Sequence, residues 1–377
     1  MLPKVKRRLF YPAAASRANL ARSDMNSGVR EITCRTAAEF VARLRITDDL
    51  WGGQQAWDWG FRGQGNAGWP LLPSAFRNGT KLSYEDSTVS APAPVPTDAQ
   101  SGWQEYYEYK LIQHFLYLAD RVGLGVPGDA QHFRLPPSSG NDRSLAPGDW
   151  PQPDVLETMA IAQHHGVPTR LLDITHNAFV AAFFAADDAL DEKKVQNAPR
   201  FGVWAVDLSL VRQAVTLRVR QQASSKGRLS GRGLSNAVDR GRRLKPRVIY
   251  VTAPRADNSF LHHQDGLFLL DQEASLRRHA DGSFEPLDEA IDDIYREVQS
   301  SSSTLEYFRP SPASPMVMVT APRELAMDVL DLLDREFYNR ARIMPTHDNV
   351  VKALAFHPVL NDHRRKTGAT QAVYGKK

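Results

Sequence analysis

The sequence predicts an α+β domain, a mixed sheet built around one central apolar helix. Three observations carry that expectation. Runs rich in β-branched and aromatic residues recur between turn signals, as strands do. The helical stretches among them keep no regular strand-helix-strand interval, so a uniformly parallel sheet is not expected. The third is "NAFVAAFFAADDAL", Asn177 to Leu190, which is apolar on nearly every face until its acidic end and therefore belongs in the interior.

In chain order, residues 1–29 read as a basic disordered leader, acid-free up to Arg22 and in that respect like an organelle transit peptide. "VREITC" then reads as a strand and "TAAEFVARLRI" as a helix, capped by Thr36 with Glu39 three residues on. In "WDWGFRGQ" the aromatics Trp57, Trp59 and Phe61 alternate with polar or small residues, so both tryptophans are expected inside and Arg62 on the other face. "WQEYYEYKLIQHFLYLADRV" predicts a helix with its apolar stripe on Trp103, Tyr107, Leu111, Phe115, Leu118 and Val122. Asp154 and Glu157 suit the start of the next helix, "VLETMAIAQHH", which Gly166 and Pro168 end. "TRLLDIT", "RFGVWAVDL", "PRVIYVTAP", "GLFLLD" and "PMVMVTAP" complete the strands. One domain is expected over 30–360, with loop insertions at 81–101, 134–153 and 212–247 and a flexible tail over 361–377.

With 377 residues and 42% hydrophobic content the chain can bury a substantial core. No run approaches the ~20 apolar residues of a membrane span, and the N-terminus lacks a secretory core, so a cytoplasmic protein is expected. Cys34 is the single cysteine, which excludes an internal disulfide and a cysteine zinc site. A net charge of +4 does not by itself argue nucleic-acid binding. The strip from Arg212 to Arg247 holds eleven basic residues against Asp239 alone, and reads equally as a phosphate-tracking surface or a solvated mobile loop.

Two polar segments remain. "GFRGQG" is followed by "WPLLPSAFR", and "AQHHGVPTRLLDITHNAFVAAFFA" comes about a hundred residues later. Together they resemble the FRG domain family, named for the triplet seen here as Phe61, Arg62 and Gly63, and "FLHHQDGLF" is similar to its third segment. More distantly, an aromatic-Arg-Gly strand, a polar strand entering an Ala/Phe-rich helix and a late polar residue resemble the three-part site of ADP-ribosyltransferases. That resemblance implies NAD as substrate. It makes Arg62 the dinucleotide ligand within the Phe61–Gly63 triplet, Asp173 and Thr175 the second motif, and Gln264 the late residue.

The implied chemistry suits the residue types. A guanidinium presents forked donors to a pyrophosphate, and a glycine at 63 lets a ligand approach the backbone. Gln264, however, is an amide where the transferases carry a carboxylate, so the charge that stabilises an oxocarbenium-like state falls to Asp265 or Asp173. The resemblance further implies a protein or nucleic-acid acceptor and a toxin or phage-defence setting.

Other readings stand beside this one. Arg170 and Asp173 could form a buried structural pair, Thr175 could cap the apolar helix, and His164 and His165 could complement a helix C-terminus as imidazolium. The paired histidines, with His114, His262 and His263, raise a metal-dependent hydrolase, although their spacing lacks the HxxxH signature. The main alternative is a non-catalytic module that binds a nucleotide or nucleic acid.

Overall fold

The computed structural model describes residues 28–77, 100–126, 150–195, 197–226, 246–253, 259–301 and 314–367. The strands are β1 (Val29–Thr33), β2 (Trp59–Gln64), β3 (Leu172–Thr175), β4 (Arg200–Asp207), β5 (Val248–Val251), β6 (Gly266–Asp271) and β7 (Met316–Pro322). The helices are α1 (Ala37–Arg43), α2 (Gln100–Arg121), α3 (Leu156–His164), α4 (Ala178–Ala189), α5 (Glu192–Val195) and α6 (Leu208–Lys226). They continue with α7 (Ser259–Gln264), α8 (Leu287–Ser301), α9 (Ala326–Arg335), α10 (Arg340–Ile343) and α11 (His347–Lys366). The strands form one sheet in the order β1-β7-β4-β2-β3-β6-β5. Only β1 and β7 run parallel among these neighbours, so the sheet is mixed and the class is α+β.

Alternation along the strands sorts the core. Phe61, Phe201, Val203, Ala205, Val317, Val319 and Ala321 pack with α1, α4 and α9, whereas Trp204, Val206, Leu172, Ile174 and Leu269 on the opposite face pack with α6 and α8. Beyond β2 the first face continues as a separate cluster, where Leu171, Phe268 and Leu270 meet α2 and α3. The two helix groups covering that face therefore adjoin at the β2–β3 boundary.

Helix α4 is central, as its composition predicts: Ala181, Ala182, Ala185 and Ala186 are all buried. Small side chains let it lie directly on β2. A Cβ at Gly63 would stand 1.9 Å from the Ala181 carbonyl oxygen, so that glycine admits a helix, not a ligand. The N-cap is Asn177, whose side chain accepts from Phe179 N and Val180 N, so Thr175 does not cap α4 through those first free amides. Thr36 caps α1 as its sequence suggests, and Glu39 reaches back to Arg35 N at 2.8 Å.

Several local expectations are corrected. Trp57 is 62% exposed because it lies in a 3-10 turn, Ala56–Asp58, ahead of the strand, and alternation governs only Trp59 onward. On α2 Tyr107 of the expected stripe is buried, but the rest of the buried side runs through Glu105, Glu108, Tyr109, Ile112 and Leu116, while Leu118 and Val122 are exposed. The helix turns inward the face that brings its carboxylates to a buried cation. Asp154 lies in a 3-10 turn, Pro153–Val155, and α3 begins after it with no side-chain cap.

The expected insertions also shrink. Residues 208–226 are helical as α6, so the start of the basic strip is not loop, and Arg247 at its other end lies in a bend before β5 but is buried with Asp271 at 3.2 Å and Asp293 at 2.5 Å; 227–245 lies outside the described residues. Trp150, near the end of the second insertion, is fully buried. Helix α11 runs to Lys366 and takes up the start of the expected tail. The 81–101 insertion lies outside the described residues except for the first residues of α2. No helix among the described residues is long and apolar enough to cross a membrane.

Candidate functional site

The sheet is weakest where the two motif segments meet. β2 pairs with β4 along its whole length from Trp59 to Gln64, and β3 pairs with β6 from Leu172 to Thr175, yet β2 and β3 share only Phe61 opposite Thr175. Past that point the strands part, and Arg62 bridges the opening. Its Nη1 donates to the Asp173 carbonyl oxygen at 2.8 Å and lies 3.7 Å from the Asp173 carboxylate. The Arg62 side chain is 16% exposed and that of Asp173 is 63% exposed, so the cation lies within the seam and the anion at its mouth.

Arg62 is incompletely satisfied. Its Nε is shielded from solvent and has no hydrogen-bond partner among the described residues, a condition that few native buried donors tolerate without a ligand, ion or water. Burial lowers its pKa below the ordinary guanidinium value, opposed by Asp173 and Asp188. A second guanidinium shares this field: Arg77, held by its Nε on the Leu72 carbonyl at 2.8 Å, is pushed down to about 10 by desolvation and then by the Arg62 cation. Sequence reasoning missed Arg77, which ends "WPLLPSAFR" and carries no signal beyond its proximity to the first motif.

The end of α3 fixes Asp173. Gln163 Nε2 donates to the carboxylate at 2.7 Å, and Gln163 Oε1 accepts the Thr169 hydroxyl, whose oxygen in turn accepts from Leu171 N at 3.2 Å. The first glutamine of "QHHGVPTRLLDIT" thus positions its aspartate. Arg170 has a different partner from the one expected. It points to the opposite side of that chain segment from Asp173, with Nε donating to Glu108 Oε2 at 2.8 Å and Nη2 to Glu108 Oε1 at 3.1 Å, and is completely buried.

Thr175 and Gln264 are brought together through the backbone of one and the hydroxyl of the other. Thr175 Oγ1 donates to the Gln264 carbonyl at 2.5 Å and accepts from Asn177 N at 2.9 Å. The hydroxyl is committed to structure, whereas the half-buried Gln264 amide has no hydrogen-bond partner among the described residues. Asp265 follows at φ 48°, its carbonyl accepting from His176 N at 3.1 Å, which locks the turn beside the seam. Phe61 is buried edge-on against Trp51 at 5.3 Å and, like Gly63, is core where a ligand contact was expected.

The histidines do not assemble. His164 packs on Phe260 of α7 with ring centroids 4.4 Å apart, and burial followed by the neighbouring His165 lowers its pKa. Burial thus works against the imidazolium form expected at the α3 terminus. Among the described residues no three His, Cys, Asp or Glu side chains converge as a metal would require.

The geometry that joins the two motifs lies within a family match. Residues 58–194 match the model of the FRG domain, an interval that holds β2, the seam, α3, β3 and α4 and stops before Gln264. The resemblance drawn from "GFRGQG" and "QHHGVPTRLLDIT" is thus supported over that stretch. Comparison with curated proteins gave no match, and comparison with solved structures gave none either.

Proposed function

We propose that the seam between β2 and β3 binds NAD and that the protein transfers its ADP-ribosyl group to an acceptor. The observation that carries this reading is the Arg62 guanidinium, buried in a parted sheet with an unpaired Nε and with Arg77 in the same field. Two guanidiniums near an opening are suited to a pyrophosphate, which can accept from each. Asp173, pinned by Gln163 at the mouth, is the anion that faces charge developing at the ribose. The unpaired Gln264 amide orients a ribose hydroxyl. In the step itself the bond from C1′ of the ribose to the nicotinamide nitrogen breaks, nicotinamide leaves with that electron pair, and an acceptor oxygen or nitrogen bonds C1′ and gives up its proton.

Calorimetry with NAD and measurement of released nicotinamide test the reading together. Arg62→Ala is expected to weaken NAD binding at least tenfold, because a pyrophosphate contact exists before and during the reaction. Binding without release by the unmutated protein favours the non-catalytic nucleotide module, to which the amide at Gln264 already lends weight. Absence of both binding and release ends the transferase reading and makes the non-catalytic module, for another nucleotide or a nucleic acid, the better account of the seam.

A further inference from the structure

Helix α11 differs from α8, which packs on the other face of the sheet, in carrying apolar residues on its exposed side. On α8 the buried residues Leu287, Ala290, Ile291, Ile294 and Val298 lie along one stripe, with Asp292, Asp293 and Arg296 outside it, as an amphipathic surface helix requires. On α11 the inner side is held by Leu360, by His363 on Asp328 at 2.7 Å and by Arg364 on Asp334 at 3.1 Å. Its outer side carries Val351 at 63% exposure and Leu354 at 67%, with Val350 and Val359 exposed beside them. Ala355 and Pro358 are exposed too. Val351, Leu354, Ala355 and Pro358 follow the three- and four-residue spacing of one helical ridge, so these side chains form a continuous stripe.

We infer that this ridge is a self-association surface on which α11 packs antiparallel against α11 of a second copy. Charge selects that occupant. Asp348 near the start of the helix and Arg365 near its end are both exposed, and neither forms an ion pair among the described residues. Helical rotation of 100° per residue places both within about a sixth of a turn of Val351. A two-fold axis near Phe356, midway between these two charges, brings the Asp348 end of each helix to the Arg365 end of the other; Asp362, exposed on the same ridge, is already paired with Lys366 at 2.7 Å, and the apolar residues are covered by their own copy. Such an interface is self-complementary by construction, and two-fold dimers are the commonest closed assemblies. A partner carrying one sign of charge would satisfy only one end.

The surface is one helix face, so association is expected in the micromolar range. Sedimentation of the full chain from about 1 to 100 µM tests it, and the expected result is a rise toward twice the monomer mass. Leu354→Glu should hold the protein monomeric across that range, with circular dichroism confirming the fold. Asp348→Arg should weaken association at least threefold, and adding Arg365→Asp to it should restore association by exchanging the two ends. A single-copy mass for the unmutated chain at every concentration overturns the inference, as does a dimer that survives Leu354→Glu. Failure of the charge exchange to restore association rejects the antiparallel arrangement.

Discussion

Two arginines, Arg62 and Arg170, enter the same part of the fold and are treated in opposite ways. Arg170 is fully enclosed, its guanidinium forked onto Glu108, with Trp150 supplying a carbonyl at 3.1 Å and Glu105 at 4.0 Å. Burial alone lowers its pKa, but the charge and hydrogen bonds of Glu108, then the charge of Glu105, more than reverse this. Arg62 has one backbone acceptor, an exposed carboxylate at longer range and an unpaired Nε. Its pKa is shifted down, not up. Burial is common to both; completeness of pairing separates a structural cation from one available to a ligand.

The sharpest way to break this contrast is to remove the Arg170 partner. Glu108→Ala leaves a buried guanidinium without its fork and also frees the Trp150 indole, which donates to Glu108 at 3.2 Å. A loss of about 3–5 kcal/mol in urea unfolding is expected. Arg62→Met should cost no more than about 1.5 kcal/mol, because it removes a single hydrogen bond to a carbonyl. Equal losses at the two positions would mean that Arg62 is as structural as Arg170.

The contrast also explains what could be read from the sequence. All the strands and the central helix were legible, since period-two runs and an all-round apolar helix leave few alternative placements. The approach of Arg62 to Asp173 was legible through the two motifs. Glu108 was not, because "WQEYYEYK" scatters acids and aromatics so evenly that a buried carboxylate looks like a solvated one, and only the position of Arg170 selects the inner face. Phe61 and Gly63 were misread for a related reason. The triplet that gives the family its name contains one residue at the seam and two that seat it, Phe61 against Trp51 and Gly63 beneath α4.

If the open arginine marks a ligand site, a change at its far edge should alter turnover with little effect on stability. Gln264→Ala is expected to lower nicotinamide release on the order of 10²-fold, as loss of one preorganised donor does, while NAD affinity stays nearly unchanged. Thr175→Val should instead lower the melting temperature, since its hydroxyl already bridges the Gln264 carbonyl and Asn177 N. Unchanged release in Gln264→Ala would shift attention to Asp173.

The smallest expected effect concerns pH and connects the seam to α7. His164 lies between the two, its ring on Phe260 at 4.4 Å and its charge sensed by Asp173. Burial and His165 lower its folded pKa below the ordinary 6.5, so the folded state holds fewer protons at this site than the unfolded chain does. Its neutral form therefore stabilises the fold fully above pH 6.5, and that contribution is lost as pH falls through 6.5 toward the lowered folded value. His164→Phe keeps the aromatic contact and removes the titration. Urea unfolding at pH 7.5 and 5.5 should show a smaller acid loss in the variant than in the unmutated protein. Asp173→Asn should enlarge that loss, because it deletes the one nearby charge that favours imidazolium. An acid loss identical in all three proteins would place His164 outside the electrostatic reach of the seam and leave Arg62 and Arg77 as its coupled cations.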